Sequence, residues 1–187
     1  MLRKVLSSDI GAIAAVYGRH VAEAGYGPIA DIGAVVTASV MRQPLVLPFD
    51  ALCNAECPQF DIDFCVAESS HGEFVGFYIC KTWATGRQHS AWPQGVETEL
   101  WYVAVAPHLQ GLGIGLRLVR QASLMNRSRT RGMGGLLARL LGRNPRMQRI
   151  LQSQGFIEVE ELGGVAQVWV DPGSEDEDDF ADIVDYA

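Results

Sequence analysis

Two periodicities of apolar residues alternate along this chain and lay out its predicted elements. Residues 2–6 predict a short first strand. Ile10, Ile13, Ala14, Val16, Tyr17 and Val21 then recur at helical spacing, predicting a helix from a Ser7 or Ser8 cap to about Ala24. Gly25, Gly27 and Pro28 interrupt it, and a second helix is predicted over about 31–42, ended by Pro44. Pro44, Pro48 and Pro58 mark 43–60 as a loop. Phe60–Glu68 and Glu73–Trp83 predict two antiparallel strands joined by Ser69-Ser70-His71-Gly72. A long loop, 84–96, leads to the apolar run Glu99–Pro107, rich in β-branched and aromatic residues, which reads as a buried strand. Leu118, Val119, Ala122 and Met125 return to helical spacing. Leu136–Leu141 predicts another buried strand, and 156–161 with 165–170 predict a closing hairpin across Gly163-Gly164.

Between the buried strand and the third helix lies Gln110-Gly111-Leu112-Gly113-Ile114-Gly115. A strand, a glycine-rich turn and a helix in that order leave backbone N–H groups at a helix N-terminus, where the dipole favours an anion. The spacing is not the dinucleotide-binding one, and no Asp or Glu occurs between Glu99 and Glu158 to take a ribose hydroxyl. The Lys-Ser/Thr of a nucleotide-binding P-loop is absent as well. The turn calls for a diphosphate. A second punctuated segment lies downstream: Asn144-Pro145-Arg146 is a good helix start, and Gln154-Gly155-Phe156 a good stop.

These two segments carry a resemblance. Gln110, Gly113 and Gly115 stand at the fixed positions of the Gln/Arg-x-x-Gly-x-Gly/Ala signature of the GNAT superfamily of acyl-CoA-dependent N-acyltransferases, preceded by Val105-Ala106-Pro107. Asn144 and Gly155-Phe156 match that family's Asn-to-Gly-Phe helix in order and spacing. The resemblance covers most of residues 1–170 and implies a mixed α/β (α+β) fold. That fold is a central sheet of about seven strands flanked by about four helices, splayed past a bulge between its fourth and fifth strands. It implies acetyl-CoA as co-substrate, its pantetheine arm pairing with the backbone of Val103, Ala104 and Val105. The diphosphate would lie on Gln110, Gly111, Leu112, Gly113, Ile114 and Gly115, with Asn144 also at the cofactor. It implies transfer of an acetyl group to a primary amine of a small molecule or protein. Glu99, eleven residues before Gln110, stands where the histone acetyltransferase branch has its glutamate base; Glu97 is the substitute, and His89 and His108 are weaker candidates. Many members place a general-acid Tyr seven residues after the Asn, where this chain has Leu151. That departure raises an alternative: a catalytically silent acyl-CoA-binding module acting through a protein partner. Water or Tyr102 is the substitute acid.

Composition sharpens this picture in three places. The net charge of −7 is uneven: residues 171–187 carry eight acidic and no basic residues, leaving 15 basic against 14 acidic in the rest. A domain over 1–170 with an acidic, flexible tail over 171–187 is therefore expected. Residues 100–157 hold nine arginines and no carboxylate, of which Arg117, Arg120 or Arg146 would face the phosphates of the cofactor. The acidic balance argues against nucleic acid as a partner; a homodimer or protein partner stays open. Cys53, Cys57, Cys65 and Cys80 lack the spacing of a metal cluster, and Cys65 and Cys80 sit in apolar strands as core residues, so no metal is expected. No apolar run reaches membrane-span length and no leader is apparent at Met1-Leu2-Arg3-Lys4, so the expectation is a cytoplasmic protein without membrane attachment.

Overall fold

A computed structural model describes residues 1–24, 31–47, 49–50, 55–56, 59–83, 96–130, 135–141, 144–162 and 166–171. The helix interruption at 25–28, Cys53, Cys57, His89, the Gly163-Gly164 turn and the tail beyond Asp171 lie outside these. The strands are β1 (Leu2–Lys4), β2 (Leu45–Val46), β3 (Phe49–Asp50), β4 (Ala55–Glu56), β5 (Gln59–Glu68), β6 (Phe74–Trp83), β7 (Val96–Val105), β8 (Gly135–Leu141), β9 (Ile157–Leu162) and β10 (Ala166–Asp171). The helices are α1 (Ile10–Ala24), α2 (Ile32–Met41), α3 (Ile114–Thr130) and α4 (Pro145–Ser153). One sheet runs β1-β5-β6-β7-β8-β10-β9, with β2 beside β5, and among the described residues only β7–β8 is a parallel pair in it.

Four local expectations change. The first helix has no serine side-chain cap: Ser7–Asp9 forms a 3-10 turn, and the Asp9 carboxylate accepts from the Leu6 N–H at 2.7 Å. Arg3 donates to both oxygens of Asp9 and to Glu68, so Asp9 is drawn into a tie between β1, β5 and the turn. The expected loop at 43–60 contains β2, which extends the sheet opposite Gln59 and Phe60, and the β3–β4 pair. Met125 is exposed, whereas Ser123, Leu124 and Asn126 are buried, because α3 is turned by its packing on the sheet. Asp171, grouped with the tail by charge, closes β10 and is buried against Arg127.

Helices cover both faces of the sheet. Ile13, Val35 and Val36 of α1 and α2 pack with Phe64, Phe77, Ile79 and Leu137 on one face. Leu118, Val119 and Ala122 of α3 and Leu151 of α4 pack with Tyr78, Leu136, Ala138 and Trp169 on the other. Removing each such Val, Leu, Ile or Phe side chain from water contributes about 1.5–3 kcal/mol, which favours the face that buries it. Cys65 and Cys80 are free thiols inside the second core, and burial pushes the Cys65 thiol up to about 11.

Candidate functional site

The site starts from a defect in β7. Ile79 of β6 is opposite Tyr102 while Cys80 is opposite Leu100, so Trp101 is an extra residue on β7. Such a bulge resets the alternation of faces. Leu100, Val103 and Val105 therefore lie on the α3–α4 side, and Tyr102 and Ala104 pack into the α1–α2 core. At the same level the parallel ladder between β7 and β8 ends, its last pair being Leu100 with Ala138. Beyond that point β7 continues along β6 and β8 along β10, and the two strands part.

Past the split, β7 runs into a 3-10 turn, Pro107–Leu109, and then the glycine turn. Gly111 and Gly113 have φ of +84° and +77°, a left-handed conformation that side chains disfavour. Gly115 is in the helix; a Cβ there would sit 3.5 Å from Ile150 Cδ1, an ordinary contact. The Gln110 side-chain amide donates to the Val105 carbonyl at 3.4 Å, tying the turn back to the strand. The Arg117 N–H reaches the Gly113 carbonyl at 3.2 Å, so the N–H groups of Ile114, Gly115 and Leu116 precede the helical ladder and point out of the N-terminus.

The opposite wall is α4. The Asn144 side chain caps it by accepting from the Met147 N–H at 3.1 Å, and Pro145 takes the first helical position. Gly155, at φ +81°, ends it, with the Phe156 N–H on the Leu151 carbonyl at 3.0 Å. Leu151 is fully buried in the second core, facing away from solvent.

Together these elements enclose a cleft of about 560 Å³ between the end of β7, the glycine turn and α4. Val103, Val105, Gln110, Gly111, Gly113, Ile114, Gly115 and Asn144, all expected from sequence, line it. The side chains of Ala104 and Leu112 do not: that of Ala104 packs into the opposite core and that of Leu112 is exposed, while the pairing expected of Ala104 turns on its backbone. Arg146 lines the cleft, whereas Arg117 and Arg120 are on the solvent face of α3 and are not among its walls. Leu109, Leu116, Met147, Arg149 and Ile150 also line it and were not among the expected residues; for Met147 and Ile150 the signal was their spacing of three, which puts them on one face of α4. Among the described residues no carboxylate lines the cleft, and two arginines and a helix N-terminus give it a positive field. It suits an elongated ligand with an apolar arm and an anionic group.

Glu99 stands apart from this wall, on the α1–α2 side of the sheet. It is 1% exposed, and Arg139 donates Nε to Oε1 at 2.6 Å and Nη2 to Oε2 at 2.9 Å. Lys81 Nζ, itself fully buried, lies 3.0 Å from Oε2 and over the rings of Phe60 and Trp101 at 4.5 and 5.2 Å. Both oxygens are thus engaged by cations through charge-assisted bonds. Glu97 is in β7, but its side chain is outside the described residues. His108 is exposed on the 3-10 turn and is not a cleft wall. Tyr102 stacks on Phe77 and tilts against Tyr17, turned from the cleft, and burial pushes its phenol above the ordinary range. Among the described residues no group of His, Cys, Asp and Glu is placed to hold a metal.

A mixed sheet parted at a bulged strand, with a helix N-terminus aimed into the parting, is the architecture of an N-acyltransferase domain. The chain belongs to the GNAT acetyltransferase family: the acetyltransferase (GNAT) domain model matches residues 61–158, which hold the bulged strand, the glycine turn and α4. Among solved structures it is similar to Ard1 of Thermoplasma volcanium, at TM-score 0.63 and 15% identity over 94% of this chain and 98% of that one. It is similar to a phosphinothricin acetyltransferase of Sinorhizobium meliloti in complex with AcCoA, at 0.61 and 17% over 94% and 89%. The PaiA N-acetyltransferase of Thermoplasma acidophilum, in complex with coenzyme A, matches at 0.60 and 13% over 92% and 98%. At these identities the likeness is one of fold. No curated protein sequence matches the chain.

Proposed function

We propose that the chain transfers the acetyl group of acetyl-CoA to a primary amine of a small molecule or a protein. The observation that carries this reading is a cleft joining the parted edge of β7 to the N-terminus of α3. An extended pantetheine arm suits the strand edge, as an added strand would, and the diphosphate suits the N–H groups of Ile114, Gly115 and Leu116. Arg146 and Arg149 supply opposite charge from α4. In the transfer, the amine nitrogen bonds to the thioester carbonyl carbon, the C–S bond breaks, and the amine's proton leaves while the CoA sulfur departs as thiolate or thiol. With Glu99 engaged by Arg139 and Lys81, the reading assigns the rate mainly to positioning of an uncharged amine and to backbone donors at the carbonyl oxygen. Glu99 serves as base only where the approaching ammonium displaces one of its cations. A cytoplasmic setting accords with this chemistry, and no helix among the described residues is long and apolar enough to cross a membrane.

The test is calorimetric titration of acetyl-CoA into the wild type and Gly113→Glu, followed by a thiol-release assay over a panel of amines. Glu at 113 brings a negative charge and a strained left-handed backbone to the mouth of the cleft. Binding by the wild type, at least about tenfold weaker in the variant, is expected from the loss of a charge-assisted contact. Equal binding by both removes the diphosphate assignment.

A second reading, an acyl-CoA-binding module with little or no turnover, is favoured by two observations. The position of the family's general acid holds Leu151, buried in the core, while the carboxylate expected as base is ion-paired. Binding without thiol release by any amine selects this second reading.

A further inference from the structure

We propose that Arg139 is a positioning residue that sets the spacing between β7 and β8 at the split, acting through its paired contact with Glu99; the inference rests on the acetyl-CoA reading above. The register places this contact at the parting. Leu100 and Ala138 form the last parallel pair, Glu99 stands one residue before it on β7, and Arg139 one residue after it on β8. The two bonds, 2.6 and 2.9 Å, join a planar guanidinium to both carboxylate oxygens, which restrains direction as well as distance. They cross from one strand to the other where the backbone ladder stops.

Beyond that level each strand is held from its far side. Tyr102, Val103, Ala104 and Val105 stay opposite Ile79, Tyr78, Phe77 and Gly76 of β6. Arg139, Leu140 and Leu141 stay opposite Val168, Gln167 and Ala166 of β10. Among the described residues no ladder pairing joins β7 to β8 past Ala138. The Glu99–Arg139 contact is therefore a side-chain link that holds the strands at a set distance where the cleft begins. A strand-like ligand arm accepts only a narrow range of edge spacing, because hydrogen bonds weaken steeply with stretching and misalignment.

The contact lies on the other face of the sheet from the cleft walls. Glu99 and Arg139 share the face of Leu137, in the α1–α2 core, whereas Val103 and Val105 meet the cleft on the other face. Lys81 contributes differently. It balances the charge of Glu99 across β6 and β7, which remain laddered on through Cys80–Leu100 and Ile79–Tyr102. Its loss leaves the split as it is.

The experiment is titration of acetyl-CoA into the full chain carrying Arg139→Met, Arg139→Lys or Lys81→Met, each melted in parallel. Arg139→Met keeps Glu99 paired with Lys81, and Lys81→Met keeps it paired with Arg139, so neither leaves a lone buried carboxylate. Both should melt lower than wild type. Affinity should separate them: roughly tenfold weaker in Arg139→Met, the worth of one to two hydrogen bonds, and within roughly twofold of wild type in Lys81→Met. Arg139→Lys, with a point donor for a fork, should fall between wild type and Arg139→Met. If Arg139→Met does not fold, Arg139→Lys carries the test through a weaker affinity at near-native melting. Wild-type affinity in the Arg139 variants, or equal weakening by Lys81→Met, overturns the proposal. A wild type that binds no acetyl-CoA overturns instead the functional reading on which it rests.

Discussion

Replacing Glu99 by Gln changes two atoms' chemistry and almost no volume, yet it removes the anion from a buried site that holds two cations. Glu99 is 1% exposed and Lys81 is fully buried, so water cannot take the place of the lost charge. Three contacts are involved, 2.6 and 2.9 Å from Arg139 and 3.0 Å from Lys81. The Gln oxygen can still accept from one cation, but its amide group turns a donor towards the other. Breaking a buried ion pair by removing one partner typically costs about 3–5 kcal/mol. The rings of Phe60 and Trp101, 4.5 and 5.2 Å from Lys81 Nζ, already attract the ammonium in the wild type and so offset little of that loss. For a chain of this size roughly 2–4 °C of melting temperature goes with each kcal/mol, so a drop of about 6–20 °C is expected. The Glu99→Gln, Lys81→Met double variant removes the stranded cation together with the anion and should recover most of the drop. Thermal melting followed by circular dichroism reads both. A single variant that melts within about 2 °C of wild type, or a double variant no better than the single, would refute the ion-triad argument.

Two further outcomes follow from other parts of the sheet. Gly76→Ala builds a Cβ 2.5 Å from the Ala104 carbonyl and 3.1 Å from Val105 Cα, so β7 must move; a loss of about 2–3 kcal/mol is expected, with weaker acetyl-CoA binding because that backbone flanks the cleft. Denaturant midpoints and titration check it, and wild-type values in both would sink the close-approach argument. The hydrogen bonds from Arg3 hold the Asp9 carboxyl below the usual carboxylate range. Its contribution is therefore present above the unfolded value near pH 4 and is lost as the pH falls through the lower folded value. Urea midpoints from pH 7 to pH 2.5 should decline less steeply at the acid end for Asp9→Asn than for wild type, and parallel declines would contradict the assignment.

Glycine and proline punctuation together with apolar periodicity made the order of the main elements legible, because turn conformations and two-sided burial leave local marks. The glycine turn is such a mark: Gly111 and Gly113 adopt positive φ, and the helix after them begins where the pattern changes period. Asn144 and Gly155 likewise cap and stop α4 through bonds to neighbours a few residues away. Most of the cleft wall could be named from residues 103–115 and 144 for the same reason. Side-chain direction in β7 was not legible, since one extra residue at Trp101 exchanges the faces of everything after it. The Ala104 side chain thereby turned into the α1–α2 core. The short strands β2, β3 and β4 gave no pattern because two residues cannot show a period. Glu99 carries the clearest division. Its position relative to the turn marked it by resemblance as a base, but its partners come from β6 and β8. A carboxylate's chemistry depends on the charges packed around it, and those were brought together only by the register of three strands.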